Sequence, residues 1–81
     1  MNKTEEVIKD VIVDIVNCDR EILNTDTTFV DMKADSMDMV QIVVTLEDTL
    51  EIEIDDDDVN DIKTFGGFVS YIEGKVTGNK Q

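Results

Sequence analysis

Apolar residues recur along the chain with the period of helices. Val7, Ile8, Val11, Ile12, Ile15 and Val16 fall at i, i+1, i+4, i+5, i+8 and i+9, one helical stripe and not the alternation of a strand. The spacing predicts a first helix from Thr4 to Val16, with Thr4 as its cap and Glu5 and Glu6 set against the positive end of the helix dipole. From Asn17 to Ala34 the pattern lapses into turn formers, among them Asn24, Thr25, Asp26, Thr27 and Thr28, so a long loop is expected. Its apolar members, Ile22, Leu23, Phe29, Val30 and Met32, must pin it to the core.

A second helix is predicted from Asp35 or Ser36 to about Leu50. Its stripe is Met37, Val40, Val43, Val44 and Leu50, with Ile42 and Leu46 alongside. The β-branched residues Val40, Ile42, Val43, Val44 and Thr45 favour a strand. A run of about fifteen residues without Gly or Pro is nevertheless too long for a typical strand, and the acidic cap fits a helix start. Glu51 to Ile54 reads as an extended connection with Ile52 and Ile54 turned inward. Asp55 to Asp61 can hold a short third helix capped by Asp55 or Asp56, with Val59 and Ile62 facing in. The last helix begins near Thr64, where Phe65, Phe68, Val69, Ile72 and Val76 keep the helical period. Gly66 and Gly67 weaken its first turns by about 1 kcal/mol each relative to Ala, or mark a closely packed start. The expected fold class is all-α: a small four-helix bundle, three main helices plus a short third helix, with a long loop between helices one and two.

Length confines this to one core: the 81 residues, 1–81, read as a single domain. Aromatics are 5% and Trp is absent, so that core must be Val, Ile, Leu and Met. Charge then limits the partners. With 20 acidic against 7 basic residues the net charge is −13, which repels nucleic acid and anionic membrane surfaces and favours basic proteins or cations. Between Ala34 and Ile62 there are 11 carboxylates and no basic residue, a single-sign field that speeds encounter with a basic docking partner and destabilises the chain by self-repulsion. One cysteine, Cys18, permits no internal disulfide and fits a reducing compartment. No apolar signal core or long apolar run occurs, so a cytoplasmic monomer without membrane insertion is expected.

The candidate chemistry centres on Lys33-Ala34-Asp35-Ser36-Met37-Asp38-Met39-Val40-Gln41. The chain has no histidine, so Ser36 lacks an imidazole base and a hydrolytic triad is excluded as normally built. Asp35 and Asp38 lack the enclosing apolar pocket that would raise one carboxyl into a useful range, and intrinsic catalysis is not expected. Asp55-Asp56-Asp57-Asp58 fails the calcium-loop pattern: counting from Asp55, the fifth position is Val59, the sixth Asn60 and the twelfth Gly66. Two readings of Ser36 remain. It belongs to an ordinary helix start, with Asp35 and Asp38 spaced as a capping box. The spacing favours that ordinary start, but a serine there is also well placed to carry a phosphodiester, since free amides and the dipole stabilise an anion.

Ala34-Asp35-Ser36-Met37-Asp38 resembles the A-D-S-L-D motif of acyl carrier proteins of the stand-alone bacterial fatty-acid or polyketide type. Thr28-Phe29-Val30, Leu46-Glu47-Asp48, Glu53-Ile54-Asp55-Asp56 and Tyr71-Ile72 extend the likeness over nearly the whole chain. Met37 replaces Leu, a volume-conserving swap. The approach to the serine is one residue shorter than the family's and reads Asp31-Met32-Lys33 where Asp-Leu-Gly is common, Gln41 stands for a usual Glu, and Asp55 for a usual Pro.

The resemblance implies that a phosphopantetheinyl transferase attaches 4′-phosphopantetheine covalently to Ser36, and that the arm's thiol carries acyl groups as thioesters in fatty-acid or related lipid or polyketide biosynthesis. It implies docking of acyl-transferring, condensing and modifying enzymes through basic patches on Asp35, Asp38, Glu47, Asp48, Glu53 and Asp56. It also implies shelter for the acyl chain, with Val40, Val43, Leu46, Ile54, Ile62 and Phe68 as candidate lining. No metal and no catalytic residue are expected. The alternative is an acidic interaction module that docks a basic partner and carries no group.

Overall fold

The computed structural model of the chain describes residues 3–78. Four α-helices follow one another: α1 (Lys3–Val16), α2 (Ser36–Leu50), α3 (Asp56–Asn60) and α4 (Phe65–Gly78), with one 3₁₀ turn at Arg20–Ile22. The long helices α2 and α4 both pack on α1, and α3 is the short element that the acidic stretch predicts. Their apolar stripes meet in one core in which Ile8, Ile12, Ile42, Leu46, Phe65, Phe68 and Ile72 are the largest fully buried side chains. Each contributes roughly 1.5–3 kcal/mol by leaving water. An aliphatic interior with two buried phenylalanines is what so few aromatics allow.

Helix termini are set by local chemistry. Asp35 caps α2 through a complete capping box: its carboxylate accepts the Asp38 amide at 2.9 Å, and the Asp38 carboxylate accepts the Asp35 amide at 3.2 Å. Asp55 caps α3 by accepting the Asp57 amide, and the Thr64 hydroxyl caps α4 by accepting the Gly67 amide at 3.1 Å. At the far ends, Asn17 after α1 and Glu51 after α2 take the left-handed conformation with φ of 67° and 56°. The Glu51 and Ile52 amides both return to the Glu47 carbonyl, closing the last turn. Ile52 and Ile54 then point into the core as their alternation predicts.

The long α1–α2 loop is held at both ends. The Arg20 guanidinium donates to Asp10 and Glu6 of α1, and the 3₁₀ turn that it starts is an element the polar pattern does not announce. Further along, Phe65 and Gly66 donate to the carbonyls of Thr27 and Thr25 at 2.7 and 3.1 Å, and Phe29 donates to Lys63 at 3.3 Å. These bonds lash the loop to the start of α4. They also explain Gly66: a Cβ there would lie 2.5 Å from Thr25 Cγ2 and 2.8 Å from the Thr25 carbonyl oxygen. Its absent side chain is a packing requirement and not a frayed end.

Two sequence expectations change. The first helix begins at Lys3, which puts Thr4 inside the first turn instead of at the cap. In α2 the inward residues are Ile42, Val43 and Leu46, whereas Met37, Val40 and Val44 are 72%, 56% and 55% exposed. At 100° per residue Leu46 lies opposite Met37, so a stripe through Met37, Val40 and Val44 cannot share the core face. Helix α2 is apolar on two sides.

Candidate functional site

Ser36 is the first residue of α2, exposed, directly after the capping Asp35. Because the capping box engages the Asp38 amide, the amides of Ser36 and Met37 remain without partners among the described residues. Two free N–H groups at the positive end of a 15-residue helix favour an anion on the serine oxygen.

The approach to this point is a single well-formed turn. Met32 donates to the Thr28 carbonyl, Lys33 to Val30 and Ala34 to Phe29, and Lys33 is left-handed with φ 63°. The last two bonds are the paired closure of a Schellman turn, whose left-handed position glycine fills most cheaply. Here a lysine occupies it, at the point where the resemblance has glycine. Met32 is buried beneath the turn and Asp31 trades bonds with Thr28, so the shortened segment is anchored and delivers Ser36 to the helix start.

Beside Ser36 opens a groove of about 520 Å³ between α2, α3 and the Thr28–Val30 turn. Phe29, Met39, Val43, Val59 and Ile62 give it an apolar floor, and Ser36 stands on its border. Phe29 is itself braced edge-on against Phe68, with ring centres 5.7 Å apart and planes at 84°. Of the candidate lining residues, Val40, Val43 and Ile62 border the groove. Leu46, Ile54 and Phe68 do not: they lie in the core below it. Lining residues not among the candidates are Phe29, Met39 and Val59, each apolar.

The α3 wall is held from behind. The Tyr71 hydroxyl donates to Asp58 at 2.9 Å and accepts the Asp55 amide at 3.2 Å, which fixes the start of α3 to α4. Asp56, one of the candidate docking acids, borders the groove from that wall.

The other candidate acids divide by what they already hold. Asp35 and Asp38 serve the capping box while their carboxylates stay at the surface or half-buried. Glu47 is half-buried and its carboxylate accepts the Ile54 amide at 2.8 Å, tying α2 to the connection that follows. Asp48 and Glu53 are exposed, and their carboxylates make no bond among the described residues. With Asp48 on the outer side of α2 lie Met37, Val40 and Val44, an exposed apolar stripe. Sequence reasoning missed Met37 and Val44 as surface residues, because both are apolar and share the helical period with the buried stripe.

Cys18 is half-buried, and burial pushes its thiol above the ordinary value, so it is a poor nucleophile. No helix among the described residues is long and apolar enough to cross a membrane. Nor do His, Cys, Asp or Glu side chains among the described residues converge in threes to hold a metal ion.

Comparison with known proteins agrees with this geometry. The family described as "Phosphopantetheine attachment site" matches residues 6–72. An acyl carrier protein of Lactobacillus acidophilus is 43% identical over 67 residues, covering 82% of this chain and 84% of that protein. One from Clostridium perfringens is 38% identical over 66 residues, covering 80% of this chain and 87% of that protein. With a helical bundle, a capped serine at the head of α2 and a match over most of its length, the chain belongs to the acyl carrier protein family.

Proposed function

We propose that the chain, acting as one domain, carries acyl groups on a 4′-phosphopantetheine arm joined to Ser36 and presents them to enzymes of fatty-acid or related biosynthesis. The observation that carries the assignment is the setting of Ser36: exposed, first in α2, with two unpartnered amides, on the border of an apolar groove. A phosphodiester fits the free amides, and an arm leaving Ser36 can enter the groove without displacing any core residue. When bound, the arm supplies the thiol that holds acyl groups as thioesters, chemistry that Cys18 is poorly placed to perform.

The chain's own residues bind and orient. In loading, Ser36 Oγ forms the bond to phosphorus, the donor's leaving group departs with the electron pair, and the serine proton passes to a base. That base belongs to the transferase, since the chain has no histidine. Asp35 and Asp38 fix the helix start, and with Asp48, Glu53 and Asp56 they present negative charge to basic patches on the partner enzymes. Met37, Val40 and Val44 add an apolar centre inside that charged rim, the arrangement of a docking surface.

The deciding experiment is coexpression with a phosphopantetheinyl transferase followed by intact-mass measurement. The mass is expected to rise by one phosphopantetheine in the natural chain and not at all in Ser36→Ala. An unchanged mass overturns the assignment and leaves an acidic docking module that carries no group; a gain that persists in Ser36→Ala overturns it by placing the arm on another residue.

A further inference from the structure

Among the described residues, Lys63 is the one cation bordering the groove beside Ser36. It follows a stretch that has no other basic residue back to Ala34, and Asp55 to Asp58 and Asp61 all lie within eight residues of it. Even so, its ammonium pairs with no carboxylate among the described residues and donates only to the Asn60 carbonyl, at 3.3 Å. Three other cations are occupied: Lys9 pairs with Glu5, Arg20 with Glu6 and Asp10, and Lys75 sits over the Tyr71 ring. Lys33 is near in sequence but does not border the groove. A lysine among so many acids that turns to a backbone carbonyl at the edge of an apolar groove leaves its charge available to whatever enters.

We propose that Lys63 is the counter-charge for an anionic oxygen group that the modification of Ser36 brings into the groove between α2 and α3. This rests on Ser36 being the attachment point. Two sources share the chemistry: the phosphodiester next to Ser36, and a carboxylate at the far end of a carried acyl group. Asp56 borders the same groove and opposes either anion. Lys63 therefore acts as a positioning and selectivity residue whose effect is modest and salt-sensitive, as for other exposed pairs.

The test uses the full chain and its Lys63→Gln and Asp56→Asn variants, each converted to the arm-bearing form and loaded with either a glutaryl or a pentanoyl thioester. Both groups have five carbons and differ in the terminal carboxylate. Lys63 is exposed and its side chain holds only one surface bond, so Lys63→Gln leaves the fold intact. Intact mass first confirms loading; a chain that gains no arm refutes the Ser36 assignment and not the role of Lys63. If the acyl carboxylate is the anion, hydroxylamine cleaves the glutaryl thioester about threefold more slowly than the pentanoyl one. The ratio falls to one in Lys63→Gln and grows in Asp56→Asn. If the phosphodiester is the anion, adding the arm alone shifts the amide resonances of Asn60 to Thr64 in the natural chain and not in Lys63→Gln, and the cleavage ratio stays at one. Equal cleavage together with arm-induced shifts that ignore the Lys63 substitution overturns the proposal.

Discussion

Helix α2 has two apolar faces with opposite fates. Ile42 and Leu46 are fully buried and Val43 nearly so, while Met37, Val40 and Val44 are more than half exposed. Both sides are apolar; what differs is the neighbourhood. The inner face meets α1 and the core, whereas the outer face is neighboured by Asp35, Asp38, Glu47 and Asp48, in a chain of net charge −13. An apolar stripe inside a charged rim suits contact with another protein better than folding.

The sharpest way to separate the faces is to hollow out the inner one. Leu46→Ala removes a fully buried side chain and is expected to lower unfolding free energy by about 3 kcal/mol, measured by urea denaturation. A loss below about 1 kcal/mol would mean that the inner face is not the one holding the bundle together.

Glu47 stands where the two roles meet, and it separates charge from structure. Its carboxylate accepts the Ile54 amide, so Glu47→Ala leaves a partly buried N–H without its partner and should cost about 1–2 kcal/mol. Glu47→Gln keeps an acceptor and should recover most of that stability while still losing the charge. If both variants bind a basic partner enzyme equally poorly yet only Glu47→Ala melts early, docking depends on charge and stability on the hydrogen bond. Equal melting of the two would remove the Ile54 bond as a stabilising contact.

How much of this was legible beforehand follows from the range of the forces involved. The α2 start could be read because a capping box is built within four residues, and α4 because its stripe faces one core. The 3₁₀ turn could not, since Arg20 is fixed by Asp10 and Glu6, carboxylates ten and fourteen positions away. Gly66 was ambiguous for the same reason: its neighbour Thr25 is forty-one residues earlier, and only the fold brings them together. The two faces of α2 were merged because β-branched residues cover both, and a hydrophobic stripe by itself records apolarity and not its destination. Burial depth was equally out of reach: Leu46, Ile54 and Phe68 lie in the core, whereas Phe29, Met39 and Val59 border the groove.

The turn into α2 offers a control that touches neither face. Lys33 occupies a left-handed position with its side chain exposed, so Lys33→Gly relieves backbone strain at little packing cost. A gain of about 1 kcal/mol is expected, read as a rise in melting temperature with transferase loading of Ser36 unchanged. A destabilised Lys33→Gly would show that the freedom added to the unfolded chain outweighs the strain removed.

Val44→Ala has the smallest expected effect on stability and bears most directly on the outer face. Val44 is 55% exposed, so losing its two methyl groups forfeits little buried area, and the better helix propensity of Ala offsets part of that. The net change should stay within about 0.5 kcal/mol. If the outer face is a docking surface, the same substitution weakens binding to partner enzymes by about fivefold or more, because an apolar contact at the centre of a charged rim is sheltered from water in the complex. Urea denaturation measures the stability, and titration against an acyl-transferring enzyme measures the binding. Unchanged binding alongside unchanged stability would leave Val44 an ordinary exposed valine and return the docking role to the carboxylates alone.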